Sequence, residues 1–111
     1  MPAADFLLEH MSRTLWDPVD PKQLGSLDPQ LHAKVNGEIY RFSKPATLAR
    51  FKGHPGRWCG ILRDPVSAVR FVPDRLSPRF EYRDGPYFFA GDSTFEVFRA
   101  APERFAIHRR D

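Results

Sequence analysis

The chain has one cysteine, Cys59, in 111 residues. A single thiol cannot build an internal disulfide framework or a multi-cysteine zinc site. It fits a reducing, cytoplasmic setting. No apolar run approaches the roughly 20 residues that span a bilayer, so no membrane contact is expected. The first residues, Met1-Pro2-Ala3-Ala4-Asp5, carry no basic region and predict no signal peptide. Catalytic signatures are missing as well. There is no Gly-x-Ser-x-Gly, no His-Glu-x-x-His and no phosphate loop, and Gly53-x-x-Gly56 is too short and proline-bound to serve as one. The carboxylates give no pair that could be assigned to general acid–base work. The sequence is therefore read as a non-enzyme without a cofactor.

Aromatics and prolines are plentiful: ten Phe and eleven Pro. The Phe supply core volume from few positions, and the Pro cut the chain into short elements, which excludes a long helical bundle. With 41% apolar and 28% charged residues, the chain reads as one globular domain. Lys and Arg exceed Asp and Glu by 17 to 14, a net charge of +3. The densest basic stretches are Arg50–Trp58 and His108-Arg109-Arg110. Interleaved acids dilute the footprint of a phosphate binder, so nucleic-acid binding is the least favoured of three readings.

The spacing of Leu7, Met11 and Leu15, with Ala4 and Leu8 beside them, predicts an amphipathic helix over 3–15, ended at Asp17-Pro18. Asn36-Gly37 inside 33–42 predicts a hairpin, because both residues tolerate positive φ. A helix over 45–52 should follow, opened by Pro45, burying Leu48 and Phe51, and closed by Gly53. Residues 80–89 predict a second hairpin turning at Asp84-Gly85. Ser93-Thr94-Phe95-Glu96 reads as a capping box for a second helix that Pro102 ends.

These segments form an internal repeat. Shifting the chain by 47 residues superposes Leu15 on Leu62, Asp17-Pro18-Val19 on Asp64-Pro65-Val66 and Tyr40 on Tyr87. It also superposes Phe42 on Phe89, Thr47 on Thr94, Phe51 on Phe98, Pro55 on Pro102 and Arg57 on Arg104. Those ten identities stand against roughly three expected from ordinary residue usage. One unit of about 45 residues buries too little to stand alone. Two can share a core, filled by Phe42, Phe51, Trp58, Phe89, Phe98 and Phe105, and the two hairpins are expected to join into one small antiparallel sheet.

The ordered set resembles the YHS domain, whose pattern runs Asp-Pro-Val-Cys, a Gly-containing hairpin, Tyr-x-Phe-Cys-x-x-x-Cys, then Phe-x-x-x-Pro-x-x-aromatic. One copy is Asp17-Pro18-Val19, Gly37, Tyr40-Arg41-Phe42, Phe51, Pro55 and Trp58. The other is Asp64-Pro65-Val66, Gly85, Tyr87-Phe88-Phe89, Phe98, Pro102 and Phe105. Every cysteine of the pattern is replaced: Asp20, Ser43 and Thr47 in the first copy, and Ser67, Ala90 and Thr94 in the second. Thiolate metal binding has no ligands left. Similar modules accompany copper-transporting ATPases and phenol-hydroxylase-type multicomponent monooxygenases, so the resemblance implies a metalloenzyme or metal-handling protein as partner.

The expected architecture is α+β: two β-hairpin–helix repeats in pseudo-twofold arrangement with an N-terminal helix. The boundaries are 1–16 for the helix, 17–59 and 62–106 for the repeats, and 107–111 for a basic tail. The leading function is a non-catalytic accessory protein that binds another protein through Leu7, Met11, Trp16, Tyr40, Trp58, Tyr87 and Phe88, with a homodimer left open. The alternative is a metal carrier or sensor using atypical ligands from His54, Cys59 and His108. Asp17 and Asp64 are read as structural, each capping local N–H groups ahead of its proline.

Overall fold

The computed structural model describes residues 15–83 and 85–106. The predicted N-terminal helix, except for Leu15 and Trp16, and the basic tail lie outside them, and with them Leu7, Met11 and His108. The described chain is α+β, with three two-stranded antiparallel sheets and four helices.

The first hairpin is β1 (His32–Val35) and β2 (Glu38–Arg41), turning on Asn36 at φ 51° and Gly37 at φ 76°. Two successive left-handed residues match the twist of the strands they join. Helix α1 (Pro45–Gly53) follows, then the single turn α2 (Pro55–Trp58). A short pair, β3 (Leu62–Arg63) and β4 (Arg70–Phe71), leads into the second hairpin, β5 (Arg79–Tyr82) and β6 (Gly85–Phe88). Helix α3 (Asp92–Ala100) and the turn α4 (Pro102–Phe105) complete the order. Each of β1, β2, α1 and α2 has a counterpart 47 residues on in β5, β6, α3 and α4.

The helix breaks are set by proline. His54 and Ala101 precede Pro55 and Pro102 and take nearly the same non-helical conformation, φ −147° and ψ 67° against φ −150° and ψ 67°. A residue before proline is pushed from the helical region. Gly53 is accordingly the last helical residue and not a left-handed cap, and the expected glycine closure is replaced by the His54-Pro55 break.

The second turn also differs. Tyr82 pairs with Gly85, so Gly85 is the first residue of β6. The glycine serves another end. At φ 107° it passes so close to β1 that an added Cβ would lie 2.3 Å from the Lys34 carbonyl oxygen.

The hairpins do not merge into one sheet. Asn36 joins them instead. Its N–H donates to Pro86 O at 3.1 Å. Its carboxamide accepts from Phe88 N–H at 2.7 Å and donates to Phe88 O and Arg63 O, both at 3.0 Å. A side-chain amide thus supplies the pairing that a strand neighbour would otherwise give.

The core is two clusters. One gathers Val35, Tyr40, Phe42, Leu48, Phe51 and Cys59, with Leu62 and Phe88 crossing in from the second half. The other holds Tyr87, Phe89 and Phe98, flanked by Phe80, Phe95 and Phe105. Equivalent rings meet alike. Tyr40 and Phe51 lie 5.2 Å apart at 37°, and Tyr87 and Phe98 lie 4.9 Å apart at 35°. Phe42–Phe51 and Phe89–Phe98 both sit at 60°. Fully burying one such ring contributes about 2 kcal/mol.

Candidate functional site

Two aspartates, Asp17 and Asp64, are buried among the described residues. Asp17 is fully buried, and its Oδ1 accepts from the N–H groups of Val19 at 2.8 Å and Asp20 at 3.1 Å. Its Oδ2 accepts from Ser43 N–H at 2.8 Å, Ser43 Oγ at 2.9 Å and Thr47 Oγ1 at 2.6 Å. Asp64 repeats the arrangement. Its Oδ1 takes Val66 N–H at 2.8 Å and Ser67 N–H at 3.1 Å, and its Oδ2 takes Ala90 N–H at 2.9 Å and Thr94 Oγ1 at 2.6 Å. Only the Ser43 hydroxyl has no counterpart, because Ala90 stands there.

Each cage is built by local chain geometry. The turn after Asp-Pro folds two N–H groups back onto Oδ1, as expected of an Asp turn. Thr47 and Thr94 lie in the first turns of α1 and α3 and reach Oδ2 from the other side. Each hydroxyl also approaches a backbone carbonyl, Lys44 O at 3.0 Å or Gly91 O at 3.2 Å. A hydroxyl has one proton, and the shorter contact to the carboxylate takes it. The carboxylates therefore sit at the positive ends of α1 and α3, where a negative charge is favoured.

The electrostatics follow. Burial by itself raises the Asp17 carboxyl, but the bonds from Ser43, Thr47, Asp20 and Val19 outweigh it and hold the group below the usual aspartate range. For Asp64, burial again raises, and Thr94, Ala90, Val66 and Ser67 prevail. A carboxylate offers about four acceptor sites. Five donors on Asp17 and four on Asp64 leave none for a substrate proton or a cation. The cages are structural locks, as the capping role expected of both aspartates requires.

The positions where the YHS pattern has cysteine gather here. Asp20, Ser43 and Thr47 surround Asp17, and Ser67, Ala90 and Thr94 surround Asp64, each through the bonds above. Sequence reasoning placed the aspartates correctly but missed the threonines as their partners. A signal for them was present: Asp17/Asp64 and Thr47/Thr94 are polar identities of the repeat, and in each copy the Asp and the Thr are 30 residues apart.

The remaining candidates are scattered. His54 is exposed, while Cys59 is buried with its thiol donating to Pro55 O at 3.1 Å. Among the described residues no group of three His, Cys, Asp or Glu side chains is placed to hold a metal ion. Of the proposed partner anchors, Tyr40, Tyr87 and Phe88 are corrected. They are core residues at 2%, 0% and 6% exposure and present no surface to a partner. Alternation along β2 and β6 fails at the strand ends, where Tyr40-Arg41-Phe42 and Tyr87-Phe88-Phe89 are buried on both faces. Phe88 turns into the first core cluster. Trp58 is half-buried beneath the guanidinium groups of Arg50 and Arg57, 5.5 and 5.0 Å from its ring centroid. Trp16 is exposed.

The exposed apolar side chains have a pattern that the sequence did not reveal. Leu15, Trp16, Leu24 and Leu27 lie on the segment leading into the first hairpin, and Ile61, Val69, Val72 and Leu76 on the one leading into the second. The only other large one among the described residues is Val97 on α3. The segments correspond in the repeat, and each carries an antiparallel contact: Trp16 with Leu24, and β3 with β4. Among the described residues no helix is long and apolar enough to cross a membrane. Comparison with protein-family models, curated proteins and solved structures finds no significant match.

Proposed function

We propose that the protein is a non-catalytic accessory module that binds another protein. The observation that carries this is the concentration of exposed apolar side chains on the two lead-in segments, 15–27 and 61–76. A contiguous patch of exposed apolar side chains marks a protein contact. The closed aspartate cages support the same reading, since they commit the most buried polar groups to holding the fold. In this proposal the two halves are YHS-like units in pseudo-twofold relation, and the scaffold has exchanged thiol positions for cage positions. The resemblance then makes a metalloenzyme of the multicomponent monooxygenase type, or its assembly machinery, the partner.

The test uses tagged full-length protein purified gently from its own host, beside two variants, Trp16→Asp/Leu24→Asp and Val72→Asp/Leu76→Asp. All replaced side chains are exposed, so the variants should melt close to wild type. The expected result is one larger protein in fixed ratio with wild type and its loss from at least one variant. Retention of the same partner by both variants would remove the lead-in segments as the contact.

A further inference from the structure

Two open clefts lie on the side of the molecule where α1, α2 and β5 meet. One, of about 490 Å³, is walled by Lys34, Lys52, Arg79 and Arg83, with Glu81 among them. The other, of about 640 Å³, is walled by Arg57, Arg75 and Arg79, with Asp74 opposite. Pro55 and Arg79 line both, so the two adjoin as neighbouring parts of one surface channel. Among the described residues, six cationic side chains and two carboxylates line it, in a protein whose net charge is only +3. The excess charge is concentrated here.

The strand pattern explains the wall. Along β5, Arg79 and Glu81 are exposed, while Phe80 and Tyr82 are half-buried against the second core cluster. Arg79 is paired with Glu81 and lies over the Phe88 ring at 5.4 Å. The floor is apolar: Val35, Phe51, Pro55 and Pro86 in the first cleft, and Pro73 and Phe88 in the second.

We propose that this channel docks an extended acidic segment of the partner protein. Side chains on one face of an extended peptide recur about every 7 Å and alternate with those on the other. A segment with carboxylates at every second position would set charge against the Lys and Arg walls. Arg binds carboxylates in a two-pronged geometry, which favours such a ligand over a diffuse counterion. A nucleic-acid strand fits less well. Phe51 and Phe88 are buried and offer no open ring for base stacking. The proposal rests on the reading of the protein as a protein-binding module, and its second cleft shares Pro73, Asp74 and Arg75 with the second lead-in segment.

The experiment is fluorescence anisotropy with a labelled peptide of about twelve residues alternating Glu and Val, using the full chain at low salt. Comparators are a Lys–Val peptide of equal length, single-stranded DNA and duplex DNA. Binding of the Glu–Val peptide is expected, weakening about tenfold as salt rises enough to shorten the screening length several-fold. Lys52→Glu/Arg75→Glu should weaken it by a further factor of about ten, whereas Arg70→Glu, exposed on β4 and outside both clefts, should change it less than about twofold. Unchanged melting temperatures establish that both variants fold. The proposal is overturned if the DNA binds more tightly than the peptide, if Arg70→Glu costs as much as the cleft variant, or if no peptide binds. A partner complex that survives Lys52→Glu/Arg75→Glu also removes the channel while leaving the accessory-module reading in place.

Discussion

Asp17 shows how much one side chain can hold in place. Its carboxylate ties the turn at 19–20 to Ser43 and to helix α1 through five hydrogen bonds. Hydrogen bonds to a charged group contribute roughly 1.5–3 kcal/mol each, and removing the acceptor leaves buried donors unpaired. Asp17→Ala and Asp64→Ala should therefore each lower stability by about 3 kcal/mol or more in urea titrations. The pH dependence has a fixed sign. Both groups lie below the ordinary aspartate value when folded, so the unfolded chain binds more protons. Their contribution is complete above about pH 4 and is lost as pH falls through the lower folded values. Urea midpoints should fall between pH 5 and pH 3 in wild type and fall less in Asp17→Asn/Asp64→Asn. Equal slopes in the two proteins would refute the cage electrostatics.

The helices separate what a local motif says from what the tertiary structure does. Ser93 and Glu96 carry a capping-box signature, but Gly91 is the N-cap of α3, no side chain caps it, and Glu96 pairs with Arg99. The N-terminal region of α3 is tied down by a residue 30 positions away, Asp64, through Thr94. Ser93→Ala should accordingly change stability by less than about 0.5 kcal/mol, and Thr94→Val should cost about 2 kcal/mol. Thermal melts of the two variants decide between a local and a remote cap.

The elements that were legible in the sequence rest on strong local chemistry: Asn36-Gly37 for the first turn, Pro55 and Pro102 for the helix breaks, and the Phe spacing for the buried faces. What was not legible depends on contacts between distant segments. Gly85 reads as a turn residue and is instead a clearance for the Lys34 carbonyl. Tyr40 and Tyr87 have the composition of surface anchors and are core. Thr47 and Thr94 look like emptied ligand positions and are the partners of the aspartates.

At the scale of the whole molecule, the two halves are held by few but specific links. Leu62 and Phe88 pack into the first core cluster, and Asn36 bonds to Pro86, Phe88 and Arg63. Asn36→Ala removes the paired amide, leaves the Phe88 N–H and C=O unmatched, and loses the residue suited to φ 51°. It should lower stability by about 3 kcal/mol, and wild type should unfold in a single transition, because neither half buries enough alone. Two resolved transitions in wild type would contradict a shared core.

The fold is locked by its own aspartates, and its proposed role is to bind another protein. Native mass spectrometry of the protein purified from its host tests this most directly, because one spectrum reads both bound metal and bound protein. The account predicts a metal-free chain in a fixed-ratio complex with a larger protein. A chain that arrives alone with one metal ion per molecule would contradict it.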